Sequence, residues 1–169
     1  ARRSNIMYIA IAVVFVLVAI VVIVANSKVI ERNAKAVTIG SETYTAADVD
    51  YYYYTAYNSF VRNYSSYLSM YGLDTSKSLK DQDCPMTSYS LLAQKAEEDG
   101  FDGSETVEAD LKQVYSDLDS YAAAAGYTRS QYIKTVCGPL VNKAVFERNV
   151  RLTSLAQAYS AEYANSLEY

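Results

Sequence analysis

The chain has 169 residues, a formal charge of −4, 18 Tyr, two Cys, and neither His nor Trp. The missing His excludes Ser-His-Asp and Cys-His catalysis, the HExxH metal site and any histidine-based pH switch. Two Cys cannot build a zinc site of the usual Cys/His kind, and an acidic chain without a basic patch argues against a nucleic-acid partner.

Ile6 to Ala25 is a run of twenty residues without a charge. At a rise of about 1.5 Å per residue such a run is about 30 Å long, the thickness of a bilayer's hydrocarbon core. Val and Ile are weak helix formers in water, but in lipid the backbone must satisfy its own hydrogen bonds and a helix is forced. The run exceeds the apolar core of a cleaved signal peptide, about 7–15 residues. It therefore predicts an uncleaved signal anchor, one transmembrane helix over residues 1–25. Arg2 and Arg3 precede it, and Lys28, Arg32 and Lys35 follow, so the positive-inside rule does not fix its orientation. Residues 26–35 read as a polar, charged stalk.

Two short β-prone runs within Val37 to Tyr44, around Gly40-Ser41, suggest a small hairpin or extended arm. Thr45 then begins a helix, with Asp48 three residues on as in a capping box. That helix is predicted from about Ala46 to Tyr71, with Gly72 as its stop. Its apolar positions Val49, Tyr53, Tyr57, Phe60, Tyr64, Tyr67 and Tyr71 step by three or four, a helical stripe. Tyr51, Tyr52 and Tyr54 fall off that stripe. A polar loop follows over 73–88. Then come a short helix, about Tyr89 to Asp99, and a longer one capped by Asp102 or Ser104 and running to about Ala125. Thr128-Arg-Ser-Gln131 is a capping box for a short helix to about Cys137. Gly138-Pro139 is a break. A last helix runs from Leu140 to about Leu167, its stripe of Val141, Val145, Leu152, Leu155, Tyr159 and Tyr163 interrupted near Arg148.

The chemistry-bearing residues do not assemble a catalytic set. Asp48 and Asp50 are two apart and diverge around a helix, so they are not an acid/base pair. No SxxK motif occurs, and no base is at hand to activate a hydroxyl. Acid is concentrated in 97–119, where nine carboxylates face Lys112 alone. This reads either as a solvated helix face with favourable acids at a helix start, or as a surface for cations or basic clients. The calcium-loop spacing is not matched. Cys84 and Cys137, 53 residues apart, are either independent thiols or a disulfide formed in an oxidising compartment.

The tyrosine run has three readings. Tyr53, Tyr57, Phe60, Tyr64 and Tyr67 read as core, because an apolar stripe at helical spacing faces one. Tyr51, Tyr52 and Tyr54 are the candidate client-binding residues. Tyr offers a large contact area and a hydrogen-bonding tip at low entropic cost, which suits extended polypeptide of varied sequence. Some Tyr could instead sit at lipid headgroups.

The order of these features resembles the SurA/PrsA-like class of chaperones that work outside the cytoplasm. The residues that carry the resemblance are Val37-Thr-Ile-Gly-Ser-Glu-Thr-Tyr-Thr45 entering a long helix, Tyr51-Tyr-Tyr-Tyr54 and Gly72-Leu-Asp-Thr-Ser76. In the second half they are Gly126-Tyr-Thr-Arg-Ser-Gln-Tyr-Ile133, Cys137-Gly138 and the helix reaching Tyr163. The many tyrosines are similar to members from Gram-positive anaerobes related to clostridia. The likeness covers about residues 36–169 and departs between Met86 and Thr87, where the family has a longer insertion.

The resemblance implies an all-α fold: the transmembrane helix, then a SurA-N-like bundle of about five helices with a short β arm or hairpin. It implies a chaperone or foldase domain over 36–169 that binds unfolded or secreted polypeptides. The placement is single-pass in the cell membrane, with the large domain outside. A parvulin-type peptidyl-prolyl isomerase domain would follow Tyr169, and the present chain carries no catalytic residue, no cofactor and no metal site. The alternative is a single-pass accessory or structural subunit of a larger membrane complex, with Ala10, Ala12 and Ala19 packing on partner helices.

Overall fold

A computed structural model describes residues 2–71 and 85–167. Among these residues there are seven helices and one two-stranded sheet. In chain order they are α1 (Arg2–Asn26), α2 (Val29–Asn33), β1 (Lys35–Ile39), β2 (Glu42–Thr45), α3 (Ala46–Tyr71), α4 (Met86–Glu98), α5 (Ser104–Ala124), α6 (Arg129–Cys137) and α7 (Lys143–Ser166). Gly72, Cys84 and most of the polar loop expected over 73–88 lie outside the described residues.

The apolar run forms α1, whose described side chains are all exposed, from 38% at Val24 to 71% at Phe15 among the larger ones. Among the described residues no helix is long and apolar enough to cross a membrane. This corrects the expectation of a single transmembrane helix, and with it the single-pass placement in the cell membrane with the large domain outside. What remains of the expected fold class is its helical character and the small hairpin.

The hairpin is antiparallel and turns at Gly40-Ser41, pairing Ile39 with Glu42 and Thr38 with Thr43. Gly40 has φ 60°, and a Cβ there would meet the Gln94 carboxamide oxygen at 2.2 Å. The turn therefore needs glycine on two counts, a left-handed backbone and a close neighbour. Gln94 of α4 fastens the turn. Its Nε2 donates to the Ile39 carbonyl at 2.9 Å, and its Oε1 accepts from the Ser41 amide at 3.0 Å.

α7 is the central helix, packing on α3, α4, α5 and α6. Two buried clusters meet along it. The larger joins Leu111 and Leu118 of α5, Ile133 and Cys137 of α6, Val141, and Phe146 and Val150 of α7. The smaller joins Tyr44, Tyr52 and Met86. Tyr51 packs against both, its ring edge-on to Tyr52 at 5.2 Å and to Phe146 at 6.2 Å. Each large side chain so buried contributes about 1.5–3 kcal/mol.

Caps set the helix boundaries. At Thr128 both bonds of the capping box are present, with Gln131 Oε1 accepting from the Thr128 amide at 2.9 Å. Asn142 caps α7 by accepting from the Val145 amide at 3.0 Å. The break after α6 turns on Gly138, at φ 112°, where a Cβ would meet Tyr54 Cδ2 at 2.8 Å and Asp50 Oδ2 at 2.9 Å. The side chains of α2 and α3 satisfy the backbone freed by this break. Asp50 accepts from the Leu140 amide at 3.0 Å, Asn58 donates to the Val136 carbonyl at 2.8 Å, and Arg32 donates to the Leu140 carbonyl at 2.8 Å.

Candidate functional site

The inward face of α3 is not the stripe that its aromatic spacing suggests. Ala47, Asp48 and Tyr52 are buried, at 0, 0 and 2% exposure, and Tyr51, Thr55 and Asn58 are half-buried on the same face. Tyr53 and Tyr64, expected in the core, are 47% and 50% exposed. Tyr53 stacks on Tyr57 with ring centroids 6.3 Å apart, and Phe60 lies 5.1 Å from Tyr64. The side chains of Tyr67 and Tyr71 lie outside the described residues.

The three candidate client-binding tyrosines therefore do not form a surface. Tyr52 belongs to the core, Tyr51 bridges the two core clusters, and Tyr54 is half-buried against Gly138. Burial pushes the Tyr51 phenol far above its ordinary range, and the charges that Cys137, Tyr52 and Tyr89 would carry add to the shift.

Cys137 is a free, buried thiol, while Cys84 lies outside the described residues. Burial raises the Cys137 thiol to about 12, which leaves it protonated and inert. It borders a hollow of about 390 Å³ with Tyr51, Thr55, Val114, Phe146 and Thr153. Among the described residues no group of three or more His, Cys, Asp or Glu side chains is arranged to hold a metal ion.

The acidic stretch is largely tied down. Lys95 pairs with Asp99 at 2.6 Å, Arg129 with Asp119 at 2.5 Å, and Arg151 with Glu108. Tyr159 donates to Asp99, and Ser154 donates to Asp110. The two carboxylates of α3 diverge as their spacing requires: Asp50 turns to the Leu140 amide, and Asp48 turns into a buried polar cluster.

In that cluster Asp48 Oδ2 accepts from the Thr45 amide at 2.8 Å, from the Thr45 hydroxyl at 2.7 Å and from Arg148. Its Oδ1 accepts from Asn149 Nδ2 at 2.8 Å. Burial alone would raise this carboxyl, but the Thr45 amide, Asn149, Arg148 and the Thr45 hydroxyl together hold it below its ordinary 3.8. The interruption of the α7 stripe at Arg148 marks this cluster.

Beside it lies a groove of about 540 Å³ between β2, α4, the start of α5 and α7. Tyr44, Ala93, Phe101, Val107, Leu152 and Leu155 give it an apolar floor. Tyr44 is anchored there, its hydroxyl donating to Ser90 at 2.6 Å. The polar rim carries Glu42, Glu97, Asp102 and Glu108 together with Arg148 and Arg151.

Sequence reasoning missed this groove because its residues come from four elements. Its one local signal was the Arg148–Arg151 charge pattern inside an otherwise apolar α7 stripe. No family model, no curated protein and no solved structure matches the chain, so the likeness to the SurA/PrsA-like class rests on the sequence pattern alone.

Proposed function

We propose that this chain is a chaperone-like binding domain that holds unfolded segments of other polypeptides in the groove between β2, α4, α5 and α7. The observation that carries this reading is the groove itself: an apolar floor of Phe101, Leu152 and Leu155 within about 540 Å³. Binding is transient burial of client apolar surface through many weak contacts, and no covalent bond is made or broken. A groove of this kind selects for exposed apolar side chains, which unfolded chains present and folded ones hide.

The test is aggregation of a chemically unfolded reporter in the presence of the whole chain. The expected result is a slowed rise in light scattering, weakened by Leu155→Ser in a variant whose helical circular dichroism is unchanged. Full protection by that variant would move client binding away from the groove.

A second reading is a structural subunit of a larger protein complex. It is favoured by the described part of α1, whose apolar side chains are exposed around the helix. Such patches mark interaction sites. A stoichiometric partner that is lost when Leu17 and Ile20 are replaced by Ser supports this reading. Heterogeneous clients that persist after that change support the first.

A further inference from the structure

We infer that the groove takes an extended polypeptide segment bearing Lys or Arg among apolar side chains, laid as a third strand along β2. This rests on the reading of the groove as a client site and names the client's chemistry.

The first observation concerns the strand. Glu42, Thr43 and Tyr44 are successive residues of β2, and all three border the groove. Side chains of a strand alternate between faces, so three in a row meet one space only where the strand's edge, and not just one face, opens onto it. Among the described residues β2 pairs with β1 alone, which leaves its other edge without a strand partner. The Thr45 amide at the end of this edge is taken by Asp48, so the stretch from Glu42 to Tyr44 is the part that can template an added strand. Main-chain bonds along it are indifferent to sequence, as a site for varied clients requires.

The second observation concerns charge. The two guanidinium groups at the rim are already committed, Arg148 to Asp48 and Arg151 to Glu108. Glu42, Glu97 and Asp102 have no ion-pair partner among the described residues. Glu42 and Glu97 are both exposed. The uncompensated charge around the apolar floor is therefore negative. An acidic segment would be repelled by it, whereas a basic one gains opposite charges on both walls.

The test is fluorescence anisotropy of the whole chain with four labelled decapeptides. Three alternate Val with Lys, Ser or Glu, and the fourth is the Lys peptide with alternate backbone nitrogens methylated. The expected order is the Lys peptide tightest, at least tenfold over the Glu peptide, with the difference shrinking as salt rises. The double variant Glu42→Gln, Glu97→Gln should weaken the Lys peptide by about three- to tenfold. Its helical circular dichroism should match the parent. Methylation should abolish binding, because it removes donors from the added strand.

Equal binding of the Lys and Glu peptides would overturn the charge assignment, and equal binding of the methylated peptide would overturn strand addition. If no decapeptide binds while the chain still slows reporter aggregation, this inference fails and the client-holding reading survives. If reporter aggregation is also unaffected, both fail.

Discussion

Asp48 and Arg148, one hundred residues apart, are joined by an ion pair whose two ends sit in different surroundings. The carboxylate is fully buried, and the guanidinium side chain is half exposed. The pair ties the first turn of α3 to the second turn of α7, next to the groove, and is asymmetric in what its loss would do.

Asp48→Ala removes the acceptor for the Thr45 amide, the Thr45 hydroxyl and Asn149 at once. Buried donors left without partners cost about 1–3 kcal/mol each, although some reach water as the site relaxes. The expected loss is about 3 kcal/mol, read as a lower urea midpoint. Arg148→Met leaves three donors on the carboxylate and removes a charge that is already half in water, so about 1 kcal/mol is expected. The reverse order would mean that the ion pair, and not the hydrogen-bonded network, carries the stability.

Acid should weaken the fold through the same carboxylate. Its folded value lies below the ordinary 3.8. Its contribution is therefore complete above that value and is lost as pH falls through the lowered one. Urea midpoints measured between pH 6 and pH 2 should fall on the acid side, and Asp48→Asn should show a shallower decline than the parent. Parallel declines would assign the effect to exposed carboxylates, of which Asp99, Asp102, Glu108 and Asp119 are also held low by their partners.

The consecutive tyrosines should separate sharply under substitution. Tyr52→Ala empties a site that is 2% exposed and is expected to cost about 3–5 kcal/mol. Tyr53→Ala, at a side chain 47% exposed, should change stability by no more than about 0.5 kcal/mol. Thermal unfolding followed by circular dichroism separates these outcomes, and similar losses at both positions would mean that the inward face of α3 is misassigned. A client-binding test by removal of Tyr51 would be confounded by the loss of a residue that joins both core clusters.

Cys137 should resist modification. With Cys84 replaced by Ser, a thiol reagent at pH 8 should react with the native chain at least about a hundredfold more slowly than with the urea-unfolded chain. The reasons are that the thiolate is suppressed by a value near 12 and that the side chain is 3% exposed. Rapid native reaction would show that the α6 end opens readily.

The sequence by itself determined the elements and most of their limits, because these depend on local chemistry. The capping box at Thr128 forms as its residue types require. The hairpin turns at Gly40-Ser41, α3 covers Ala46–Tyr71, and α5 ends one residue short of the expected Ala125. The same local signal overreached at the amino terminus: the uncharged run forms a helix, yet among the described residues no helix meets the length and apolarity of a span.

Only the tertiary structure decided which face of α3 turns inward. Tyrosines occupy four successive positions, so every face of those turns carries an aromatic and periodicity cannot choose among them. The choice falls to partners distant in sequence: Asn149 and Arg148 waiting for Asp48, and Phe146 waiting for Tyr51. The groove is equally non-local, since β2, α4, α5 and α7 each supply one wall and none is concave alone. Among the described tyrosines of α3, Tyr52 is buried in the core while Tyr53 and Tyr64 are exposed, a division that composition cannot express.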